Sequence, residues 1–202
     1  MPSAEDRVDP LPRLVVATGN AGKLGEYEEL LAGRPVEVVG HDTGVEETGS
    51  TYEANARLKA GAATRATGLA AIGDDSGIEV EALDGFPGIR SARLGRDQAA
   101  RTAALLRRLE GHPRPWPARF VCVIALSIPG AEIAYFRGER TGEVVPEWRG
   151  EAGFGYDPVF LLPELGRTFG ELSPTLKHRW SHRGAAIGLL IDSGALKRLA
   201  IL

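Results

Sequence analysis

The sequence predicts an α/β protein built on a mixed β-sheet, and three observations predict it. Short apolar runs of strand length alternate with segments of helical spacing, and the opening reads β-turn-α-β. Two further apolar runs, around Pro129-Gly130, read as a hairpin and make the sheet mixed. No internal repeat, low-complexity tract or long linker divides the chain, so residues 13–202 are expected to form one domain.

Arg13–Thr18, centred on Leu14, Val15, Val16 and Ala17, reads as a buried strand between Pro12 and Gly19. Asn20–Gly22 is a turn. Leu24, Tyr27, Leu30 and Leu31 then give Lys23–Leu31 helical spacing, with Gly33 as the stop. Val36–Val39 is the next strand, and His41–Gly49 a polar loop carrying Glu46-Glu47. Either Ser50 or Thr51 caps a helix through Ala54, Ala56, Leu58, Ala60 and Ala63 to Thr67. Leu69–Gly73 is expected as a strand closing at Asp74-Asp75-Ser76-Gly77. Ile78–Leu83, which alternates apolar and acidic residues, is expected as a half-exposed strand. Gly85-Phe86-Pro87-Gly88 is loop chemistry. Leu105, Leu106 and Leu109 share one side of a helix over Asp97–Leu109. Phe120–Ile128 and Ile133–Arg137 form the hairpin, Gly150–Pro158 is a glycine-rich loop, and Arg183–Leu190 begins a C-terminal helix. Met1–Pro12, polar and carrying three prolines, is expected as a flexible extension.

Composition narrows the function classes. A formal net charge of −3 over 202 residues leaves no general basic face, so no nucleic-acid partner is expected. Phosphate chemistry must use a few placed Lys and Arg side chains. The single cysteine, Cys122, cannot form an internal disulfide; its apolar run Phe120–Leu126 predicts a packed, inert thiol in a reducing compartment. No apolar stretch is long enough to span a bilayer, and Met1–Pro12 lacks the core of a signal peptide. A cytoplasmic protein without a membrane partner is expected.

Four groups of residues could carry chemistry. Thr18-Gly19-Asn20-Ala21-Gly22-Lys23, between a strand and a helix, either cradles phosphate oxygens on backbone N–H groups with Lys23 beside them or is only a tight turn. It is not a Walker A loop, since Ala17 and Leu24 stand where that motif needs Gly and Ser or Thr. Asp74-Asp75-Ser76-Gly77 is either turn chemistry or a pair of carboxylates that diverge, one toward a site and one toward loop backbone. A carboxylate there suits Mg²⁺; Glu46-Glu47 either supplies another carboxylate to the metal, with Lys59 neutralising phosphate, or is only a solvated helix entry. Phe154-Gly155-Tyr156-Asp157 either presents a ring for base stacking and an acceptor for a base N–H or is simply core. Lys177-His178-Arg179-Trp180-Ser181-His182-Arg183 could grip phosphate or a purine edge, or be a solvated helix entry.

Read in order, these segments, together with Phe86–Arg93 and Ser181–Gly184, resemble the inosine/xanthosine triphosphate pyrophosphatase family from Leu14 to about Leu190. The resemblance implies an elongated mixed sheet forked into two lobes around a nucleotide cleft, and a homodimer. It implies that Thr18, Asn20 and Lys23 hold the triphosphate with Lys59 assisting, the Gly19, Ala21 and Gly22 backbone completing that loop. Glu47 and Asp75 would bind Mg²⁺, with Asp75 also the general base. Ser76, Phe154, Gly155, Tyr156, Asp157, Lys177, His182 and Arg183 would surround the nucleotide. The implied activity is hydrolysis of ITP, dITP and XTP to the monophosphate and pyrophosphate. The alternatives are a pyrophosphatase for modified pyrimidine nucleotides and a nucleotide sensor without turnover. Pro174–Trp180 departs from the family pattern at Thr175, Leu176, His178, Arg179 and Trp180, and Leu94–Asp97 is shorter than usual.

Overall fold

The structure, a computed structural model, describes residues 10–199. Residues 1–9 of the expected N-terminal extension lie outside the described residues. Strand β1 (Arg13–Ala17) is buried from Leu14 onward because it has a strand on either side: β2 (Glu37–His41) and β3 (Ala70–Val80). Helix α1 (Ala21–Leu30) starts earlier than its apolar spacing suggests, because Asn20 caps it; the Asn20 side chain accepts from the Lys23 N–H at 3.1 Å. Thr51 caps α2 (Tyr52–Thr67) in the same way through the Ala54 N–H.

The largest departure from expectation is β3. Asp74-Asp75-Ser76-Gly77 neither ends a strand nor makes a turn: it lies in the middle of an eleven-residue strand. Every residue from Ala71 to Val80 is matched antiparallel by β4 (Trp116–Ser127), and that continuous ladder overrides the turn preference of the four residues. The expected second strand shortens accordingly, and Glu81–Leu83 is a 3-10 turn.

The hairpin is also longer than its apolar core, with β5 (Ala134–Val144) paired from Leu126↔Ala134 to Trp116↔Val144. Its polar half is held by cross-strand pairs, Arg119 meeting Glu79 at 2.7 Å and Glu139 at 3.4 Å. Helix α3 (Gln98–Leu109) lies before the hairpin. Strands β6 (Phe160–Leu162) and β7 (Arg167–Thr168) and helices α4 (Pro174–Trp180), α5 (His182–Asp192) and α6 (Ala195–Leu199) follow it.

The seven strands run β2-β1-β3-β4-β5-β6-β7, parallel where β1 meets β2 and β3 and antiparallel beyond. From β1 the chain steps outward to β2, then crosses back to β3 on the other side. With right-handed crossovers, that reversal sends α1 and α2 to opposite faces of the sheet. One core on the α1 face joins β1, β3 and β4 to α1, α5 and α6 through Leu14, Ile72, Ile124, Ala186 and Leu196. A second, around Phe120, Phe160, Phe169, Leu105 and Leu109, lies at the other end of the long strands. Helix α2 covers the opposite face, with Ala56 and Ala60 against Val121, Val123 and Ala125.

Candidate active site

The site forms where β1 stops and β3 continues. Recorded pairing between the two ends at Val16↔Ile72, so Asp74 and Asp75 project just past the C-terminal end of β1, beside the turn that begins at Thr18. A chain reversal around a central strand leaves a crevice at this place, outside the carboxyl ends of parallel strands.

Strand alternation sends the two aspartates to opposite faces. Asp74 shares a face with Ile72 and Ile78 and meets α1 and α5: Lys23 Nζ lies 2.9 Å from its Oδ2 and Arg183 Nη2 3.2 Å. The expectation that the second aspartate addresses loop backbone is corrected here, since Asp74 meets two cations instead. Burial alone would raise the Asp74 carboxyl, but Lys23, Arg183 and Lys59 outweigh it and hold it well below the usual range. It stays ionised. Asp75 faces α2, where Asn55 Nδ2 donates to its Oδ2 at 2.9 Å and Lys59 Nζ stands 4.0 Å from Oδ1. Burial raises Asp75, with Glu47 adding to the rise, and Lys59 and Asn55 offset only part of it. Neighbouring carboxyls pushed in opposite directions are the pattern that separates a structural counter-ion from an acid–base group.

The turn before α1 is shaped by its own side chains. Thr18 Oγ1 accepts from the Asn20 N–H at 3.1 Å, and Asn20 is committed to capping. A Cβ at Gly19 would stand 2.3 Å from the Asp42 carboxylate, so glycine lets that side chain lie against the turn. Ala21 and Gly22 form the first turn of α1, where N–H groups have no intrahelical acceptor and a helix favours anions.

Glu47 comes from the loop between β2 and α2. Its Oε1 lies 2.6 Å from Lys59 Nζ, and its carbonyl accepts from Arg93 at 2.6 Å. Lys59 therefore stands between the carboxylates of Glu47 and Asp75, a position already selected for positive charge. Among the described residues no group of three His, Cys, Asp or Glu forms an all-protein metal cage. The two carboxylates that line the cleft, Glu47 and Asp75, instead fit an ion such as Mg²⁺, which takes one or two carboxylates and fills its remaining positions with water and phosphate oxygens.

The other end of the cleft is aromatic. Phe154 and Gly155 line it, and Lys177 Nζ sits 4.7 Å from the Phe154 ring centroid. The His182 ring stacks on Phe120, centroids 4.7 Å apart and planes 12° from parallel. Burial, with Arg183 and Lys177 nearby, drops the His182 pKa well below its ordinary value, so the ring is neutral; its Nδ1 is buried without a partner. Tyr156 is core as much as lining, its hydroxyl donating to Ser91 O at 2.8 Å. Asp157 faces inward, accepting from the Phe154 N–H and from Lys177 Nζ, each at 2.7 Å. Arg183 is buried behind the wall, bonded to Glu26, Asp74 and Ser76.

Asn20, Lys23, Glu47, Asp75, Ser76, Phe154 and His182, among others, line one half-open cleft. An adjoining groove is lined by Thr18, Gly19, Lys59 and Thr43, with Asn20, Lys23 and Glu47 shared between the two. Ala21 and Gly22 lie on the far side of Phe154, with Gly22 against its ring.

Several lining or supporting residues escaped sequence reasoning. Glu26, which takes Lys177 at 2.6 Å and also Arg183, follows Lys23 by three positions, and that helical spacing could have flagged it. Asn55 shares a helix face with Lys59, four positions on, and that spacing places both beside the Asp75 carboxylate. Ser91 lies inside the matched stretch Phe86–Arg93 but was given no role there, and Arg101 and Phe120 carry no local signal; only the fold brings them to the cleft.

Together the fold and cleft define a class: an α/β protein that sets ammonium groups, carboxylates and an aromatic wall around one cavity at a strand end, the layout of a nucleotide pocket. The chain belongs to the Ham1 family, whose model matches residues 14–193. It is 48% identical over 181 residues to a dITP/XTP pyrophosphatase of Gloeobacter violaceus, covering 89% of this chain and 92% of that protein. It is also 48% identical to a dITP/XTP pyrophosphatase of Deinococcus radiodurans, covering 89% and 91%. Its structure is similar to that of a HAM1 protein from Coxiella burnetii, with a TM-score of 0.80 at 38% identity over 89% of this chain and 96% of that one.

Proposed function

We propose that this chain hydrolyses non-standard purine nucleoside triphosphates, ITP, dITP and XTP, to the monophosphate and pyrophosphate. One observation carries this reading: Asp75, Lys23 and Glu47, distant in sequence, line one cleft whose opposite end is aromatic. The base lies between Phe154 and the His182 end, and the triphosphate runs toward Lys23, Lys59 and the start of α1.

Water attacks the α-phosphorus and passes a proton to Asp75, whose raised pKa suits that task. The bond from the α-phosphorus to its bridging oxygen breaks, and pyrophosphate leaves with that oxygen. Lys23 and Lys59, turned from their carboxylate partners to the phosphates, offset the charge that builds on the leaving group. Glu47 and Asp75 are the side chains that would hold Mg²⁺, which supplies charge neutralisation at the phosphates when bound. A keto oxygen at purine position six accepts from donors of the His182–Lys177 wall, where adenine presents an amino group that leaves those donors unpaired.

The proposal extends to a homodimer, to the cytoplasm, and to residues 13–202 acting as one unit. No helix among the described residues is long and apolar enough to cross a membrane. Light scattering checks the dimer. The activity is tested by a panel of ITP, dITP, XTP, ATP and pyrimidine triphosphates with Mg²⁺, identifying products. Expected is pyrophosphate from the first three and little from the rest. Comparable turnover of ATP, or orthophosphate as the first product, would contradict it.

A further inference from the structure

Two of the three charged basic side chains that line the cleft are matched to carboxylates. Lys23 has Asp74 at 2.9 Å, and Lys177 has Glu26 and Asp157 at 2.6 and 2.7 Å. Arg101 is the exception. Its side chain makes one hydrogen bond, Nε donating to Gly95 O at 2.9 Å, and no carboxylate among the described residues lies within 4.0 Å of it. Among the described residues, both terminal nitrogens of the guanidinium are left without a protein acceptor on the wall of a half-enclosed cavity.

The position is built. Asp97 caps α3 by accepting from the Ala100 N–H at 2.8 Å, which fixes the first turn and Arg101 on it. A Cβ on Gly95 would stand 2.7 Å from the Arg101 backbone nitrogen, so the preceding loop lies directly against that turn and aims the Gly95 carbonyl at Nε. With Nε held, the rest of the fork is oriented. Its charge acts on Tyr156, and the groove lined by Thr18, Gly19 and Lys59 does not include it, which puts Arg101 toward the aromatic end of the cleft.

An unmatched guanidinium in a partly desolvated pocket favours a ligand that brings acceptor oxygens or negative charge to that end. The candidate bases differ in this respect. Hypoxanthine carries one keto oxygen, and xanthine carries two and also loses a ring proton near neutral pH. We propose that Arg101 is a specificity-determining residue that contacts the second keto group of xanthine and raises the enzyme's preference for XTP relative to ITP. This rests on the nucleotide reading of the site above and adds which base the cleft favours.

The test compares kcat/KM for XTP and ITP in the full chain and in R101A, R101Q and R101K, with thermal melts of each. In R101A and R101Q the XTP value is expected to fall about 10- to 100-fold, the range for losing a charge-assisted hydrogen bond. The ITP value is expected to stay within about threefold, and R101K, which keeps the charge without the fork, to fall between. XTP and ITP falling together would overturn the proposal, placing Arg101 on the phosphates or, if the melts also drop, in the fold. An unchanged ratio in all three variants would overturn it too. If the unaltered chain turned over neither nucleotide, the nucleotide reading itself would fail. Turnover of both with an unmoved ratio defeats only the role of Arg101.

Discussion

Asp74 and Asp75 are adjacent in sequence, similar in burial and different in job. Asp74 is 3% exposed and is the shared counter-ion of Lys23 and Arg183, the second of which also meets Glu26. Asp75 sits beside the amide of Asn55 and the ammonium of Lys59, with a proton affinity raised by burial. Conservative substitutions should therefore separate the two roles. Asp75→Asn is expected to lose about 10²–10⁴-fold in turnover, the range for a missing general base, with little change in urea midpoint. Asp74→Asn leaves a buried guanidinium with one partner fewer and is expected to cost about 3–5 kcal/mol in the same urea titration. Near-normal turnover in the first, or an unmoved midpoint in the second, would reverse the assignment. Asp75 was legible only through the family resemblance, since its own four-residue segment reads equally as turn chemistry. The cations around Asp74 were not, since Arg183 lies 109 residues away and no local pattern links them.

Strand β3 and the elements resting on it set the distances that these side chains need. Two glycines permit that approach. A Cβ at Gly73 would lie 2.5 Å from Ala60 N and 2.6 Å from Ala56 O, so α2 rests on bare backbone there and delivers Asn55 and Lys59 to Asp75. On β5, a Cβ at Gly138 would meet His182 O at 2.1 Å, and its absence lets the start of α5 lie against the sheet. Gly73→Val is expected to push α2 outward, costing about 1–3 kcal/mol of stability as overpacking does. It should also lower kcat more than the melting temperature alone explains, because Lys59 moves with the helix. Thermal melts and steady-state rates on one preparation separate these effects. At this scale the sequence was informative for amphipathic helices and buried strands. It misled at Gly73–Gly77, where local turn chemistry was overridden by pairing with β4, and it was silent on β6, β7, α4 and α6, too short to show a period.

Across the whole molecule, the cleft is the polar seam between two apolar cores that share β3 and β4. Pro174–Trp180 becomes α4 and spans that seam: Lys177 enters the cleft, His178 pairs with Glu29 of α1 at 2.5 Å, and the Trp180 carbonyl accepts from Arg140 of β5 at 2.7 Å. The seam also makes stability depend on pH. His182 has a folded pKa far below the ordinary 6.5 because it is buried and faces Arg183 and Lys177, so in mildly acidic solution the unfolded chain binds a proton that the folded chain refuses. His182 therefore contributes a loss of stability as pH falls below about 6.5. Urea titrations across pH 7 to about pH 5.5 are expected to show a shallower acid-side decline in His182→Asn than in the unaltered chain. Equal slopes would mean that the imidazole is not excluded from charging.

The general position of the cleft was legible, since motifs from both halves of the chain had to meet for any of them to do chemistry. Which side chains are already paired, and which cation is left over, appeared only with the fold.

Hydrolysis of ITP in water enriched in heavy oxygen tests the central claim most directly, by locating the label in the products. Attack at the α-phosphorus predicts label in the nucleoside monophosphate and none in pyrophosphate, and Asp75→Asn should slow its appearance without moving it. Label in pyrophosphate, or orthophosphate released first, would show that the cleft presents a different phosphorus to the water and would contradict the account.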